Sequence, residues 1–287
     1  MLNSKKYLSL DFGASTVDVV FWKDDKVVQI KSFETKDHSS INSIKKFLNE
    51  LKISLQGIEK IFVTGGKSRN FEDKINDIQI EKINEIKAIG RGGYFLAKKF
   101  LEKEKEFLVV SMGTGTCIVK CKMKNASPKF WREKLKINHI GGTGIGGGTF
   151  LGLCKELIDE TDILKLRKMF AKGDKRKVDL SVGEIIGSGI GIVSANNTAS
   201  NLGKLARNVN SKKEDLAAGI VNLIGQAIGT NIVFAAKAEK VKKVVLIGKL
   251  IRFKEITDII LEVGKLYGVA MIVPKGGEYG TGVGALS

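Results

Sequence analysis

The sequence predicts an α/β protein built from two similar units that face each other across a cleft. Two pairs of short apolar runs are each joined by a turn rich in glycine and hydroxyl residues, one at 11–16 and the other at 111–116. A third glycine-rich loop follows at 141–149. Segments of helical periodicity and β-branched runs follow each pair, so a hairpin-led α/β unit occurs twice along the chain.

The first unit is predicted to begin with a hairpin and to continue with strands and helices. Two apolar runs joined by the first turn predict the hairpin, and a third, β-branched run extends it to a meander. Apolar positions at helical spacing predict the first helix, which Ser39 or Ser40 can cap. The predicted strands cover Lys6–Leu10, Val17–Trp22, Lys26–Phe33 and Ile58–Thr64, and the predicted helices cover Ser40–Leu51 and Ile86–Leu101.

The second unit repeats the hairpin and contains more helix. Its hairpin strands are predicted at Phe107–Ser111 and Cys117–Met123, on either side of the second turn. The third glycine-rich loop then leads into a helix within Gly141–Leu157. The remaining predicted elements are helices over Glu214–Ala238 and Lys254–Tyr267, strands over Lys243–Ile247 and Val269–Val273, and a glycine-rich helix start at Gly276–Gly284.

Length and composition favour a folded cytoplasmic protein. The 287 residues can bury a large core, and a hydrophobic content of 43% excludes a disordered chain. No signal peptide is visible before the polar loop at Asp11, which favours a cytoplasmic location. The uncharged stretch Leu216–Ala236 contains polar residues at roughly helical spacing, so we expect a buried or subunit-interface helix and no membrane span.

The net charge of +17 does not indicate nucleic-acid binding. Its 41 lysines and seven arginines are scattered among acidic residues, without the clusters of arginine and aromatic residues that recognise bases and phosphates. This charge can still attract anionic small molecules such as nucleotides. The three cysteines are too few and too poorly placed for a disulfide scaffold or a metal site, so we expect core thiols in a reducing compartment.

The glycine-rich turns indicate phosphate binding. Glycine lets backbone N–H groups converge on an anion, and serine and threonine hydroxyls add further donors. One turn from each unit could hold a triphosphate from opposite sides while the cleft closes and excludes water. Asp11 lies between an apolar strand and the first turn, where it is either a turn cap or a ligand for Mg²⁺, which prefers carboxylates and phosphates.

A dinucleotide fingerprint is the alternative interpretation of the third loop, because Gly142–Gly147 formally matches G-x-G-x-x-G. Such a site needs a strand directly before the loop and an acidic residue about 20 residues later, at the end of the next strand. Here the approach over Lys134–Ile140 is short and charged, and Asp159–Asp162 falls in helical sequence. These features disfavour a dinucleotide site, and no Gly-Lys-Ser/Thr run in the right frame indicates a P-loop.

Five motifs also occur in a characteristic order, at Asp11–Thr16, Val63–Gly66, Glu85–Gly93, Met112–Thr116 and Gly141–Leu153. The ordered set resembles the type II pantothenate kinases, which belong to the actin/sugar-kinase/Hsp70 ATPase superfamily. This resemblance implies two ribonuclease H-like, actin-like ATPase domains that face each other across a nucleotide cleft. Residues 1–104 would carry the first phosphate loop and the candidate base, and residues 105–287 the second phosphate loop and the adenosine site.

The resemblance further implies an activity and its ligands. The activity is the ATP-dependent phosphorylation of the primary hydroxyl of pantothenate to 4'-phosphopantothenate, the first step of coenzyme A biosynthesis, by a homodimer that uses Mg²⁺. Glu85 matches the family's general base, with Glu81 a competitor by position, and Asp11 would hold Mg²⁺. The positions that would bind the nucleotide are Asp11, Gly13, Ser15, Thr16, Gly113, Thr114, Gly115, Thr116, Gly144, Gly146, Gly147, Gly148 and Gly248.

Two positions depart from the family pattern. Asp18 stands where the family usually has a lysine, and a carboxylate there repels a triphosphate unless a cation intervenes or the side chain points away. His139 stands where the family usually has an arginine, and a histidine cannot make the bidentate contact of a guanidinium group. His139 is therefore a replacement catalytic or substrate-binding group, a structural histidine, or a sign of a different acceptor. Another small-molecule kinase or ATPase of the superfamily and a non-catalytic nucleotide-binding regulator stay open as alternatives.

Overall fold

Two β-sheets, each covered by helices, form the two lobes of the chain. The computed structural model describes residues 5–34, 43–66, 68–124, 135–207 and 210–286. The strands of the first sheet are β1 (Lys6–Phe12), β2 (Thr16–Lys23), β3 (Lys26–Glu34), β4 (Ile58–Gly65), β5 (Lys74–Ile75) and β6 (Ile78–Lys82). They lie in the order β3-β2-β1-β4-β6-β5.

The second sheet repeats the topology of the first. Its strands are β7 (Glu106–Met112), β8 (Thr116–Met123), β9 (Leu135–Thr143), β12 (Lys243–Ile247) and β13 (Ala270–Ile272), and the short strands β10 (Leu180–Ser181) and β11 (Thr198–Ser200) pair separately. The order is β13-β12-β7-β8-β9. In both sheets an antiparallel three-stranded meander is followed by two strands added in parallel. The predicted repeat of a hairpin-led unit is confirmed.

Eight α-helices lie within the described residues. They are α1 (Ile44–Glu50), α2 (Glu85–Ala97), α3 (Gly147–Ile158), α4 (Ile163–Lys172), α5 (Val182–Ile186), α6 (Lys213–Ala238), α7 (Lys254–Leu266) and α8 (Gly280–Gly284). Ser43 caps α1 by accepting from the N–H of Lys46 at 3.4 Å. The caps predicted at Ser39 and Ser40 lie outside the described residues.

Two sequence arguments against a dinucleotide site are wrong as stated. A strand, β9, does lead into the third loop, although its approach was expected to be too charged and short. It is the edge strand of the second sheet, where one side faces solvent and tolerates charge. Asp159 and Asp162 also lie between two helices: Asp159 ends α3 in a left-handed conformation, and Asp162 caps α4. A dinucleotide fold is still excluded, because β9 pairs with β8 in the antiparallel direction.

Helices α2 and α8 connect the lobes by each packing across to the other sheet. Helix α2 comes after the first sheet in the sequence but contacts β7, β8, β9 and β12, whereas α8 comes after the second sheet and contacts β1 and β2. The two helices touch backbone to backbone: a Cβ on Gly92 would lie 1.8 Å from the Gly280 carbonyl oxygen, and one on Gly284 would lie 1.9 Å from that of Ala88. The domain boundary predicted at 104/105 falls in the connection between α2 and β7 and stays a prediction.

Helix α6 is the core helix of the second lobe. It is long and apolar enough to cross a bilayer, but 61% of its apolar window is buried against the rest of the fold, chiefly α3, α4 and α7. Its polar residues also have partners, since the Asn222 amide donates to Asp179 at 2.7 Å and to Thr198 at 2.9 Å. The expectation of a buried helix is confirmed.

Candidate active site

Both hairpin turns open into one cavity between the lobes. Its volume is about 830 Å³. The β1–β2 turn contributes residues 11–16, and the β7–β8 turn contributes Ser111 and residues 113–117. The turns that were predicted to face each other therefore line the same space.

The backbone behind each turn contains a glycine at which any side chain would be strained. Gly65 ends β4 beside β1, and Gly248 follows β12 beside β7, so the two occupy equivalent places in the two sheets. Their φ angles are +94° and +95°, a region that side chains disfavour. A Cβ would also lie 2.3 Å from the Phe12 carbonyl oxygen at Gly65 and 2.6 Å from the Met112 carbonyl oxygen at Gly248. Each glycine thus lets the parallel strand approach the end of its hairpin.

Four carboxyl side chains line the cavity. Asp11 near the end of β1 faces Asp18 of β2 across the hairpin register, Glu85 lies at the start of α2, and Glu278 follows the last strand of the second sheet. Burial, together with the neighbouring carboxylates of Asp18 and Glu85, raises the pKa of Asp11 to about 8, against a smaller lowering effect of Lys249. A bound cation would reduce the repulsion among these carboxylates.

Asp18 does not face the cavity as a bare charge. Its side chain is 4% exposed, and it accepts from the Lys249 ammonium group at 2.6 Å and from the Ser32 hydroxyl at 2.7 Å. Lys249 follows Gly248 in the second lobe, whereas Asp18 lies on β2 of the first, so this ion pair bridges the cleft. The repulsion expected at Asp18 is therefore compensated by a cation.

Glu85 lies at the cavity, and its predicted competitor does not. Glu85 is the first residue of α2, directly after Asn84, whose side chain accepts from the N–H groups of Ile86 and Lys87. Its side chain is exposed into the cavity. Glu81 lies on β6, pairs with Lys60 at 2.5 Å, and is not a lining residue.

The third glycine loop docks onto the second turn. The N–H groups of Gly147 and Gly148, at the start of α3, donate to the carbonyl oxygens of Gly113 and Thr114 at 2.8 and 2.9 Å. The Thr116 hydroxyl donates back to the Ile145 carbonyl oxygen at 2.8 Å. These N–H groups therefore fix the shape of the β7–β8 turn, and Gly147 and Gly148 still line the cavity.

Part of the cavity lining is apolar, and we call this part the apolar slot. Leu151, Leu250 and Phe253 line it next to Gly147, Gly148 and Gly248. Apolar side chains beside close-approach glycines suit a flat, poorly hydrated group such as a nucleobase. Gly248 was predicted as a nucleotide-binding position, whereas the three apolar residues were missed because each also fits a core position of its helix or turn.

Most of the predicted site residues converge on the cavity, and three do not. The lining includes Glu85, Asp11, Gly13, Ser15, Thr16, Gly113, Thr114, Gly115, Thr116, Gly147, Gly148 and Gly248. Gly144 and Gly146 lie in the third loop outside the lining, and His139 is exposed on β9, paired with Val119 in the strand register. A role for His139 in catalysis stays a prediction.

The cavity suits a divalent cation bound together with a phosphate ligand. No group of three or more His, Cys, Asp or Glu side chains with metal-binding geometry occurs among the described residues. Mg²⁺ is commonly held by one or two carboxylates, waters and substrate phosphates and does not require such a group. Asp11, whose carboxyl group lines the cavity beside those of Asp18 and Glu85, is the residue suited to that role, and a bound cation would displace its proton.

Comparison with known proteins agrees with this geometry. Among solved structures, the (R)-2-hydroxyglutaryl-CoA dehydratase component A of Acidaminococcus fermentans is similar with a TM-score of 0.60 at 17% identity, over 98% of this chain and 96% of that chain. A ROK family glucokinase from Streptomyces griseus, in complex with glucose and AMPPNP, is similar with a TM-score of 0.59 at 9% identity, over 98% and 97%. The fold and the cleft thus define the class, an α/β protein with the actin-like ATPase fold.

Sequence relatives narrow the class to one family. The profile of the Fumble family matches residues 22–265. A type II pantothenate kinase of Oceanobacillus iheyensis is 32% identical over 85% of this chain and 84% of its own length, and one from Bacillus cereus strain G9842 is 26% identical over the same shares. The chain belongs to the Fumble family of type II pantothenate kinases.

Proposed function

We propose that this chain transfers the γ-phosphate of ATP to the primary hydroxyl of pantothenate and forms 4'-phosphopantothenate. Membership of the Fumble family supports the kinase activity and the acceptor. The observation that carries the proposal is the convergence of two phosphate-type turns and Glu85 on one cavity. A binding protein without turnover would need the turns but not a carboxylate aimed at the same space.

The nucleotide would lie in the cavity between the two lobes. We place its adenosine in the apolar slot of Leu151, Leu250 and Phe253, and its phosphates between the two hairpin turns. The hydroxyls of Ser15, Thr16 and Thr114 would donate to phosphate oxygens. Asp11 would hold Mg²⁺, which when bound neutralises charge on the phosphates.

Glu85 would act as the general base. Its carboxylate would accept the proton of the acceptor hydroxyl as that oxygen attacks the γ-phosphorus and the bond to the β-phosphate breaks, leaving ADP. Ile89, one helical turn further along α2, and Cys117 line the cavity near Glu85. We propose that the acceptor lies on this side.

We also propose that the chain is a cytoplasmic homodimer. Four isoleucines within eight residues are 50–62% exposed, Ile185 and Ile186 at the end of α5 and Ile190 and Ile192 in the segment that follows it. Apolar side chains gathered in one exposed segment are typical of a protein interface. Light scattering on the purified chain measures its mass, and a monomer at micromolar concentration would refute the dimer.

Release of ADP in a coupled assay tests the proposed activity. We expect release with pantothenate and not with hexosamines, and we expect Glu85→Gln to lower kcat by about 100-fold or more while ATP binding persists. Glu81→Gln is the matched control, because Glu81 is a nearby acidic residue that pairs with Lys60 away from the cavity. Release with sugars alone would reassign the acceptor, and ATP binding without turnover on any acceptor would refute a kinase.

A further inference from the structure

Among the described residues that line the cavity, Lys249 is the basic one, and the other charged side chains are acidic. Four carboxylates line the cavity, those of Asp11, Asp18, Glu85 and Glu278, and Lys249 is the only lysine or arginine among the lining residues of the described chain. A triphosphate carries several negative charges, so its binding here requires cations. Lys249 is the protein's own contribution to that charge.

The ammonium group of Lys249 is held from three sides. Its Nζ lies 2.6 Å from Asp18 Oδ1, 3.2 Å from Ser32 Oγ and 4.3 Å from the centroid of the Tyr279 ring. The Ser32 hydroxyl in turn donates to Asp18 Oδ1, so each of the three polar side chains is hydrogen-bonded to the other two. An ammonium group has three N–H donors. Two oxygen acceptors meet it within the described structure, so a ligand oxygen could accept from the third donor in place of the contact with the Tyr279 ring.

Asp18 is the buried partner of the ion pair, and Lys249 is the partner that remains accessible from the cavity. The Asp18 side chain is 4% exposed and the Lys249 side chain 26% exposed. A buried carboxylate must be paired, so Asp18 fixes the lysine, while the lysine keeps a surface open to the cavity.

We propose that Lys249 contacts the phosphates of the bound nucleotide, and that Asp18, with Ser32, is the residue pair that positions it. The inference rests on the proposed function only in taking ATP as the ligand of the cavity. The lysine belongs to the second lobe and its anchor to the first. The phosphate contact is therefore complete only when the lobes have the relative position seen here, which links nucleotide binding to closure of the cleft.

Nucleotide binding by Lys249→Met tests the contact. We expect its affinity for MgATP and MgADP to fall about 10- to 100-fold, the range for loss of a charge-assisted hydrogen bond, and its affinity for adenosine to change less than about twofold. Lys249→Arg should retain most of the ATP affinity because it keeps the charge. Lys254→Met is the matched control, because Lys254 pairs with Asp258 on the exposed surface of the adjacent α7. Unchanged ATP affinity, or an equal loss for adenosine, would overturn the contact.

Asp18 variants separate positioning from stability. Removing Lys249 alone leaves the buried Asp18 carboxylate unpaired, so Lys249→Met should also lower the melting temperature. The double variant Asp18→Asn with Lys249→Met should recover much of that melting temperature and none of the ATP affinity. Asp18→Asn alone should weaken ATP binding several-fold through a misplaced lysine. Tighter ATP binding in Asp18→Asn would overturn the positioning role.

These measurements are made without any acceptor. A chain that binds ATP through Lys249 and does not phosphorylate pantothenate would refute the proposed activity and support this contact. A chain that phosphorylates pantothenate, and whose Lys249→Met variant binds ATP like the wild type, would support the proposed activity and refute this contact.

Discussion

The two hairpin turns occupy equivalent places in sheets of the same topology, yet they present different chemistry to the cleft. Strands β1 and β7 both have seven residues, and β2 and β8 both have eight. Equivalent positions differ by one hundred in number, so Gly13 corresponds to Gly113 and Thr16 to Thr116. At two other equivalent pairs the first lobe has carboxylates, Asp11 and Asp18, where the second has Ser111 and Ile118.

The shared positions maintain the scaffold, and the differing positions determine the chemistry. Both hairpins depend on a glycine with positive φ in the neighbouring parallel strand. The first hairpin carries the carboxyl groups of Asp11 and Asp18, whereas the second turn is neutral and is fixed by the docked third loop. A repeated fold can thus supply two unlike walls of one cavity.

The largest expected effect comes from the pair of positions at the ends of β1 and β7. Asp11→Asn should lower turnover by about 100-fold or more, because the carboxylate that would hold Mg²⁺ is lost. Ser111→Ala, at the equivalent position, should lower it by only about two- to tenfold, as for one neutral hydrogen bond. Steady-state ADP release across a Mg²⁺ titration measures both. Equal losses would contradict the division of roles between the lobes.

The two glycines behind the turns provide a test of the shared scaffold. Gly65→Ala and Gly248→Ala should each lower the free energy of unfolding by about 2–4 kcal/mol, because the new Cβ meets backbone atoms and φ is positive. Gly152→Ala is the control, since Gly152 lies within α3 with no atom within 4 Å of an added Cβ. We expect this control to gain up to about 1 kcal/mol. Chemical denaturation measures the free energy of unfolding of the three variants. A loss in only one of Gly65→Ala and Gly248→Ala would refute an equivalent role for the two glycines.

The smallest expected effect is a pH dependence that belongs to the first lobe alone. The pKa of Asp11 is raised to about 8 by burial and by its carboxylate neighbours, whereas an unfolded aspartate titrates near pH 4. Between these values the folded chain holds a proton that the unfolded chain has released, so stability falls as pH rises. Without metal or nucleotide, the melting temperature of the wild type should drop by several degrees between pH 5 and pH 8 relative to that of Asp11→Asn.

Ser111→Ala is the control for this measurement. It should keep the wild-type pH dependence, since it removes no carboxylate. If the melting temperature of Asp11→Asn falls with pH as steeply as that of the wild type, another group is responsible for the pH dependence.

Local sequence signals predicted the two hairpins and the strand β12. An apolar run, a glycine-rich turn and a second apolar run lie within about 20 residues, so β1–β2 and β7–β8 could be predicted without knowledge of the rest of the fold. The strand β12 was predicted with its observed bounds, because a short β-branched run ends at Gly248. Glu85 could be predicted only through the family resemblance, since Glu81 fits the local pattern equally well.

Features that depend on distant contacts could not be predicted. Asp18 and Lys249 are 231 residues apart, and nothing near either residue indicates the other. The edge strand β9 was missed because its exposed residues, such as Lys136 and Asn138, give it the polarity of a loop. The short strands β5 and β6 were missed because they are brief and mostly polar, and they are held by tertiary pairing, β6 with β4 and β5 with β6.

The position of α8 on the first sheet separates the order of synthesis from the order of folding. The Ser9 hydroxyl donates to the Gly282 carbonyl oxygen at 2.7 Å, and Val283 and Leu286 pack with Val20 and Trp22. At cellular rates of translation, the 273 residues between Ser9 and Gly282 take roughly 15 to 55 seconds to make. Throughout that interval this face of the first sheet lacks its cover, so the first lobe to leave the ribosome is among the last to be completed.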